Sequence, residues 1–278
     1  MFGAPVLVFD IETVTDVRAG SQLYGLALER DNATQALHKL RRQEAGTDFP
    51  RLPLHEIVCI SGLWIDEEKF QLFSWTQEQY SEAQILEKFI GIFEKKKPVL
   101  VSWNGAQFDL PVIMYRCLYY GLTAAALFEK GDWNYQKRHD NYHNRYHPRH
   151  TDLMDVLASF NLRNVQKLDD VAQILGYPGK RGLSGYHVAD YVKQQQWQAL
   201  SSYCEGDVLN TWLVYLRWIL LRGFINTTQH QNWIRHTIAY LRQQPQQAAF
   251  LDYWQQSCKS SVFTQRDFWD YDGLESSS

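Results

Sequence analysis

The run Pro5-Val6-Leu7-Val8-Phe9 leads into Asp10-Ile11-Glu12-Thr13, so a short apolar stretch ends in two carboxylates one residue apart. A run of this length and character reads as a β-strand, and residues i and i+2 of a strand point to the same face. Asp10 and Glu12 therefore project together. Like charges in one site raise each other's pKa unless something positive compensates, and a divalent metal is the common compensator. Alone, the pair fits a turn or a solvated strand end equally well, so its meaning depends on what the rest of the chain brings to it.

The chain has 278 residues, 45% of them hydrophobic, enough for a substantial core in one large domain or one domain with an extension. Cys59, Cys117, Cys204 and Cys258 lie far apart with no C-x-x-C, which argues for reduced thiols in a cytoplasmic protein and against a disulfide framework or zinc clip. The N-terminal apolar run is too short for a secretory signal, and Trp212 to Phe224 carries Arg217 and Arg222 where a membrane span would need apolar residues. Net charge is −3, and Asp267, Asp270, Asp272 and Glu275 against Arg266 account for all of it. A neutral body with local basic patches is compatible with a protein that binds phosphates and lets them go.

Residues 21–46 carry Leu23, Leu26, Leu28, Leu37 and Leu40 at helical spacing, with Asn32 or Thr34 as caps, and this helix is expected to cover the mouth lined by Asp10 and Glu12. Phe49-Pro50-Arg51-Leu52-Pro53 breaks it. Strands are predicted over 56–65 and 69–75 around the turn Asp66-Glu67-Glu68, then a helix over 81–97 that Pro98 stops. A strand over 99–103 turns through Asn104-Gly105 into a helix over 110–120, and a strand or helix start resumes at Asp152. Lys167 to Gly176 reads as a short helix, Gly179-Lys180-Arg181-Gly182 as a basic turn, 188–223 as nearly continuous helix, and 229–242 as another before a weakly patterned tail. Strand followed by helix after an antiparallel opening gives an α/β fold with a mixed sheet.

Residues 131–150 lack periodicity and interleave Lys137, Arg138, Arg145 and Arg149 with Trp133, Tyr135, Tyr142 and Tyr146. They read as a loop against a phosphate backbone or as a solvated excursion. His139, His143, His147 and His150 invite a metal reading, but no Cys or acidic pattern accompanies them and Pro148 breaks any helix that would align them.

Two further motifs bear on the opening pair. Asn104-Gly105-Ala106-Gln107-Phe108-Asp109 puts a third carboxylate where a strand gives way to a helix, a place that also suits a plain cap. Tyr203-Cys204-Glu205-Gly206-Asp207 places Tyr203 and Asp207 on one helix face, with a mid-helix glycine that costs about 1 kcal/mol relative to alanine and so asks for a reason. Asp10-x-Glu12, Asn104-x-x-x-Phe108-Asp109 and Tyr203-x-x-x-Asp207, in this order, resemble the three exonuclease motifs of the DEDD superfamily of 3′-to-5′ exonucleases, in its tyrosine-bearing subgroup. Pro53 to Ser61, and Lys167-Leu168-Asp169-Asp170-Val171-Ala172 to Leu175-Gly176 with Lys180, are similar to segments of the proofreading domain of family B DNA polymerases. The closest likeness is to the stand-alone relatives predicted for that domain.

The resemblance covers about residues 5–222 and implies an RNase H-like mixed sheet flanked by helices, with a helical C-terminal extension. The expected organisation is an exonuclease domain over 1–222, with a helical insertion at about 17–47 and the basic loop at about 131–150, and an extension with an acidic aromatic tail over 223–278. It further implies that Asp10, Glu12, Asp109 and Asp207 hold two Mg²⁺ or Mn²⁺ ions and that Tyr203 sits beside an attacking water. Thr13, Asn104, Phe108, Lys180 and Arg181 are the expected substrate contacts: Phe108 and the residues after Thr13 against the terminal base, Lys180 and Arg181 on a phosphate. The implied substrate is nucleic acid, single-stranded DNA in the first instance and RNA as the alternative. A catalytically silent nucleic-acid-binding module on the same fold is the rival from another class. The tail from Val262 to Asp272 either packs on the body or offers a surface to a protein partner.

Overall fold

The computed structural model describes residues 3–180 and 185–260. Strands β1 (Val6–Thr15), β2 (His55–Ile65), β3 (Phe70–Thr76), β4 (Val99–Ser102) and β5 (His150–Asp152) form one sheet in the order β3-β2-β1-β4-β5. β2 pairs antiparallel with β1 and β3, whereas β4 and β5 continue the sheet in parallel. The first strand is thus the central one. Helices α1 (Val17–Tyr24) and α2 (Arg30–Ala45) follow it, and α3 (Glu82–Lys96) and α4 (Asp109–Tyr120) flank β4 in sequence. Short helices α5 (Ala125–Phe128), α6 (Leu153–Leu157), α7 (Leu168–Ile174) and α8 (Tyr186–Lys193) lead to α9 (Trp197–Leu221), and α10 (Thr227–Arg242) and α11 (Ala248–Ser260) complete the described chain. This is an RNase H-like α/β arrangement with added C-terminal helices.

A strand buried on both faces needs apolar residues at successive positions, and the first four of β1, Val6 to Phe9, are apolar. Leu7, Phe9 and Ile11 face a core built with Ile85, Leu86 and Phe89 of α3 and Ile113 of α4. Val6 and Val8 face the opposite core, built with Val208, Trp212 and Leu216 of α9. By strand alternation Asp10 and Glu12 continue the second set, toward α9. That 25-residue helix is apolar on nearly all sides, as a helix enclosed by sheet, α7 and α10 must be. α10 and α11 share its core: Trp212 Nε1 donates to Thr237 Oγ1 at 3.0 Å, and Trp254 of α11 is fully buried near Tyr177.

Three expected elements differ in detail. The helix predicted over 21–46 is two, because Gly25, left-handed at φ +64°, ends α1 and offers its N–H to Ser21. Asn32 and Thr34 lie inside α2, whose Glu29 cap makes no side-chain bond, and Leu23 and Leu28 stay exposed. The helix predicted over 188–223 is broken at Gln195, also left-handed at φ +55°. A run of glutamines carries no stop signal. After Pro245, α11 replaces the unpatterned tail up to Ser260; the acidic aromatic segment 262–278 lies outside the described residues.

The helix that begins at Asp109 is fixed by a buried ion cluster. Arg116 of α4, 2% exposed, donates to Asp16 Oδ2 at 2.6 Å and to both oxygens of Glu82, at 2.7 and 2.5 Å. Asp16 caps α1 through Ala19 N–H, and Glu82 also accepts from Ile57 N–H of β2. One guanidinium thereby ties α4 to α1, α3 and the sheet. Removing it would leave two carboxylates buried without their cation. Arg116→Ala is expected to lower unfolding free energy by about 3–5 kcal/mol in urea titrations, and a loss below about 1 kcal/mol would mean that water replaces the guanidinium at little cost.

Candidate active site

The pairing of β1 with β2 slips between Glu12 and Thr13, where Glu12 faces Cys59 and Thr13 faces Ile57. Such bulges re-aim side chains. Just before it, Asp10 and Glu12 lie beneath α9, and the ligand atoms of Asp10, Glu12 and Cys204 come within 4.8 Å of one another. Cys204 Sγ lies 3.5 Å from the Asp10 carbonyl oxygen and 3.7 Å from its Oδ2. Burial pushes this thiol well above its ordinary range, so it is a donor to Asp10 and not a thiolate.

β4 accompanies β1 only as far as the pair Val8–Val101, so Ile11 N–H has no strand to bond. Asp109 Oδ1 accepts it instead, at 3.1 Å. This backbone bond brings the first residue of α4 back to the central strand. The intervening turn is held by Asp152 at the end of β5, which accepts from Asn104 N–H and Ala106 N–H at 2.9 Å each. Gly105 packs so closely on Ser102 that a Cβ there would meet its side chain, which is why this turn takes glycine.

Lys180 enters from the segment after α7. Asn210 of α9 clasps Gly179 from both sides, accepting its N–H and donating to its carbonyl at 3.1 Å each, and Asp169 accepts Lys180 N–H at 2.6 Å. Gly179, at φ +63°, has no room for a Cβ beside Asp169. So held, Lys180 Nζ donates to Tyr203 Oη at 3.0 Å and Asp207 Oδ2 at 2.5 Å. Tyr203 and Asp207 are one helical turn apart, which lets a single ammonium bridge them.

The electrostatics of the cluster follow from crowding. Burial, then Asp109 and Asp207, raises the Asp10 pKa well above the carboxylate range, and burial, Asp10 and Asp207 do the same to Glu12. Asp109 is pushed up to about 7 by burial and by Asp152. Burial opposes the charge on Lys180, but Asp207 and Tyr203 outweigh it and hold the ammonium protonated. Among the described residues Lys180 is the cation that offsets Asp10 and Glu12, one charge among four carboxylates. A donor set of hard carboxylate oxygens short of positive charge fits a divalent ion such as Mg²⁺ or Mn²⁺.

Of the other residues expected at the site, Thr13 Oγ1 bonds His55 Nδ1 at 2.8 Å, and Phe108 forms an aromatic wall with His55 and Phe49, ring centres 5.0 and 5.5 Å away. Asn104 sits at φ +66° on the Asp152-held turn. Arg181 lies outside the described residues. The histidines of 131–150 form no metal group among the described residues; His150 instead bonds Ser102 Oγ at 2.8 Å. In that loop Arg149 pairs with Asp140, Lys137 donates to the Ala126 carbonyl of α5 and Arg138 to that of Gly131, and Trp133, Tyr135 and Tyr146 are exposed. Asp152, Asp169 and Asn210 carry no signature in the sequence, because each acts on backbone groups that only the fold brings near.

Carboxyl pKa values raised by folding mean that the native chain keeps protons the unfolded chain has released, so stability falls as pH rises from the ordinary carboxylate range through about 7 for Asp109. Urea titrations in chelator should therefore show a lower midpoint at about pH 8 than at about pH 5. Asp109→Asn should reduce that drop, and Mg²⁺ should reverse it in the wild type. A flat profile would show that the carboxylates ionise freely in the folded chain.

Residues 47–258 match the family described as "Predicted 3'-5' exonuclease related to the exonuclease domain of PolB". Among solved structures the chain is similar to the family B DNA polymerase from the hyperthermophilic archaeon Pyrobaculum calidifontis, with 16% identity and a TM-score of 0.46 over 86% of this chain and 29% of that one. It is also similar to exonuclease I, with 14% identity and a TM-score of 0.34 over 56% of this chain and 29% of that one. The chain thus spans less than a third of the length of either. No curated protein matches it. The family match runs over most of the sequence: the chain belongs to the predicted 3′-to-5′ exonucleases related to the exonuclease domain of PolB.

Proposed function

We propose that this exonuclease removes nucleotides from the 3′ end of single-stranded DNA by metal-dependent hydrolysis, with Asp10, Glu12, Asp109 and Asp207 as the ligands of two divalent ions. The observation that carries the reading is the convergence of these four acids with Tyr203 and Lys180 on the central strand, just beyond its pairing with β4. When bound, Mg²⁺ or Mn²⁺ would neutralise the carboxylates, lower the pKa of an attacking water and stabilise the departing 3′ oxygen.

The chain's own groups have distinct tasks. Burial raises the Tyr203 phenol above its ordinary range, so it stays protonated and is no base. Lys180 already donates to the phenol oxygen, which leaves the phenolic proton to orient a water or a phosphate oxygen. Lys180 itself keeps a positive charge beside the scissile phosphate. The wall of Phe108, Phe49 and His55 offers a face to the terminal base, and stacking of that kind is worth roughly 1–3 kcal/mol whatever the sequence. Residues 1–222 form the exonuclease domain in this reading and 223–278 its extension, of which α10 and α11 buttress α9.

The test is incubation with 5′-labelled single-stranded and duplex DNA and RNA, with Mg²⁺, Mn²⁺ or chelator. A ladder shortening from the 3′ end of single-stranded DNA is expected, abolished by chelator and by Asp109→Ala. Faster shortening of RNA would reassign the substrate, and degradation that persists in chelator would overturn the mechanism. Tyr203→Phe should slow hydrolysis roughly tenfold or more while KM changes little; a rate equal to wild type would remove Tyr203 from the chemistry.

A further inference from the structure

A second cleft, of about 160 Å³, adjoins the turn that leads to Asp109 and is lined by none of the four acids, Tyr203 or Lys180. Small beside the pockets that take drug-sized ligands, it suits one ring system. Its floor is polar and deeply buried: Asp152, Asp155 and His150 are each more than nine-tenths covered. Asp152 is occupied by backbone N–H groups and His150 by Ser102. Asp155 has capacity left. Its Oδ1 accepts from Gln107 Nε2 at 2.9 Å and its Oδ2 makes a long contact with Arg145 Nη2 at 3.4 Å, whereas a carboxylate offers roughly four acceptor sites.

Met114, Phe160 and the ring of His143 line the same space. Phe160 is placed there against local preference. Ser159 and Phe160 are both left-handed, at φ +51° and +58°, where side-chain-bearing residues are rare and where strain tends to accompany ligand clamps. The ring meets the Arg145 guanidinium at 5.2 Å and Tyr146 at 5.4 Å. Arg145, nearly half exposed, keeps most of its donors at the rim.

A planar ring entering this cleft meets an acceptor at the floor, a guanidinium at the rim and an aromatic side wall. Given the exonuclease reading, on which the occupant's class rests, that ring is a nucleobase. Guanine alone presents two adjacent N–H donors, N1 and N2, beside an acceptor, O6. Adenine would aim N1, an acceptor, at the carboxylate; cytosine offers one amine next to two acceptors, and thymine or uracil one N–H between two carbonyls. A site that hydrogen-bonds one edge rejects those that leave its buried groups unpaired. We propose that the cleft formed by Gln107, Asp155, Arg145, Met114 and Phe160 binds one guanine of the substrate strand.

Nucleosides test this directly, since they carry no phosphate for the carboxylate site. The full chain would be titrated with guanosine, adenosine, cytidine and uridine, binding being followed by calorimetry or NMR. Guanosine should bind at least tenfold more tightly than the other three. Asp155→Asn should erase the preference, and Arg145→Ala, which also takes the guanidinium from buried Asp155, should weaken guanosine at least fivefold while adenosine, cytidine and uridine bind as they do to the wild type. Equal binding of all four, a preference for cytidine, or a guanosine preference that survives both substitutions would overturn the proposal. Trimming assays on the same preparations keep the two readings apart: trimming without guanosine preference sinks the cleft, and guanosine preference without trimming sinks the exonuclease reading.

Discussion

Four carboxylates packed around the middle of the central strand are the constraint on which the rest of the structure depends. Burial and mutual repulsion both oppose their ionisation, and one ammonium offsets only part of the excess. A fold that brings such groups together must hold them by other means, and here three of the four arrive with a restraint of their own. Asp109 is drawn in by a strand N–H that β4 leaves unpaired. Asp207 is fixed within a long enclosed helix and paired to Lys180. Asp10 accepts from a thiol kept neutral by its surroundings. The stability that the cluster withholds is supplied by the two apolar cores that grip β1 from either face.

The sheet and the residues now assembled at its centre were legible because they rest on local signals. Pro5 to Phe9 has the character of a strand buried on both faces, the hairpin at Asp66 has turn chemistry, and Ile85 to Phe93 repeats at helical spacing. The three motifs could be joined because their order and spacing resemble a known pattern, not because periodicity places them together. The interruption at Gln195 and the extent of α11 were not legible. Gln194, Gln195 and Gln196 look like ordinary helix residues, and the burial of Trp254 follows from packing against distant Tyr177.

The supporting shell was the least legible part. Asp152 reads as any acid before a helix, yet it gathers backbone N–H groups from a turn 46 to 48 positions away. Glu205, between Cys204 and Gly206, could pass for a surface charge; it is buried, accepting from Ser74 of β3 at 2.6 Å and from Gln247 at 2.5 Å. Such roles depend on contacts across the fold, for which a single sequence has no periodic signature.

The amide clasp between Asn210 and Gly179 ties the position of Lys180 to the rotation of α9. Tyr203, Cys204, Glu205, Asp207 and Asn210 occupy one short stretch of that helix, and each residue along a helix turns the next by about 100°. Inserting or deleting a single residue within 203–210 would therefore dismantle the site, the Glu205 brace and the seat of Lys180 together. The segment 203–210 is thereby confined to substitution.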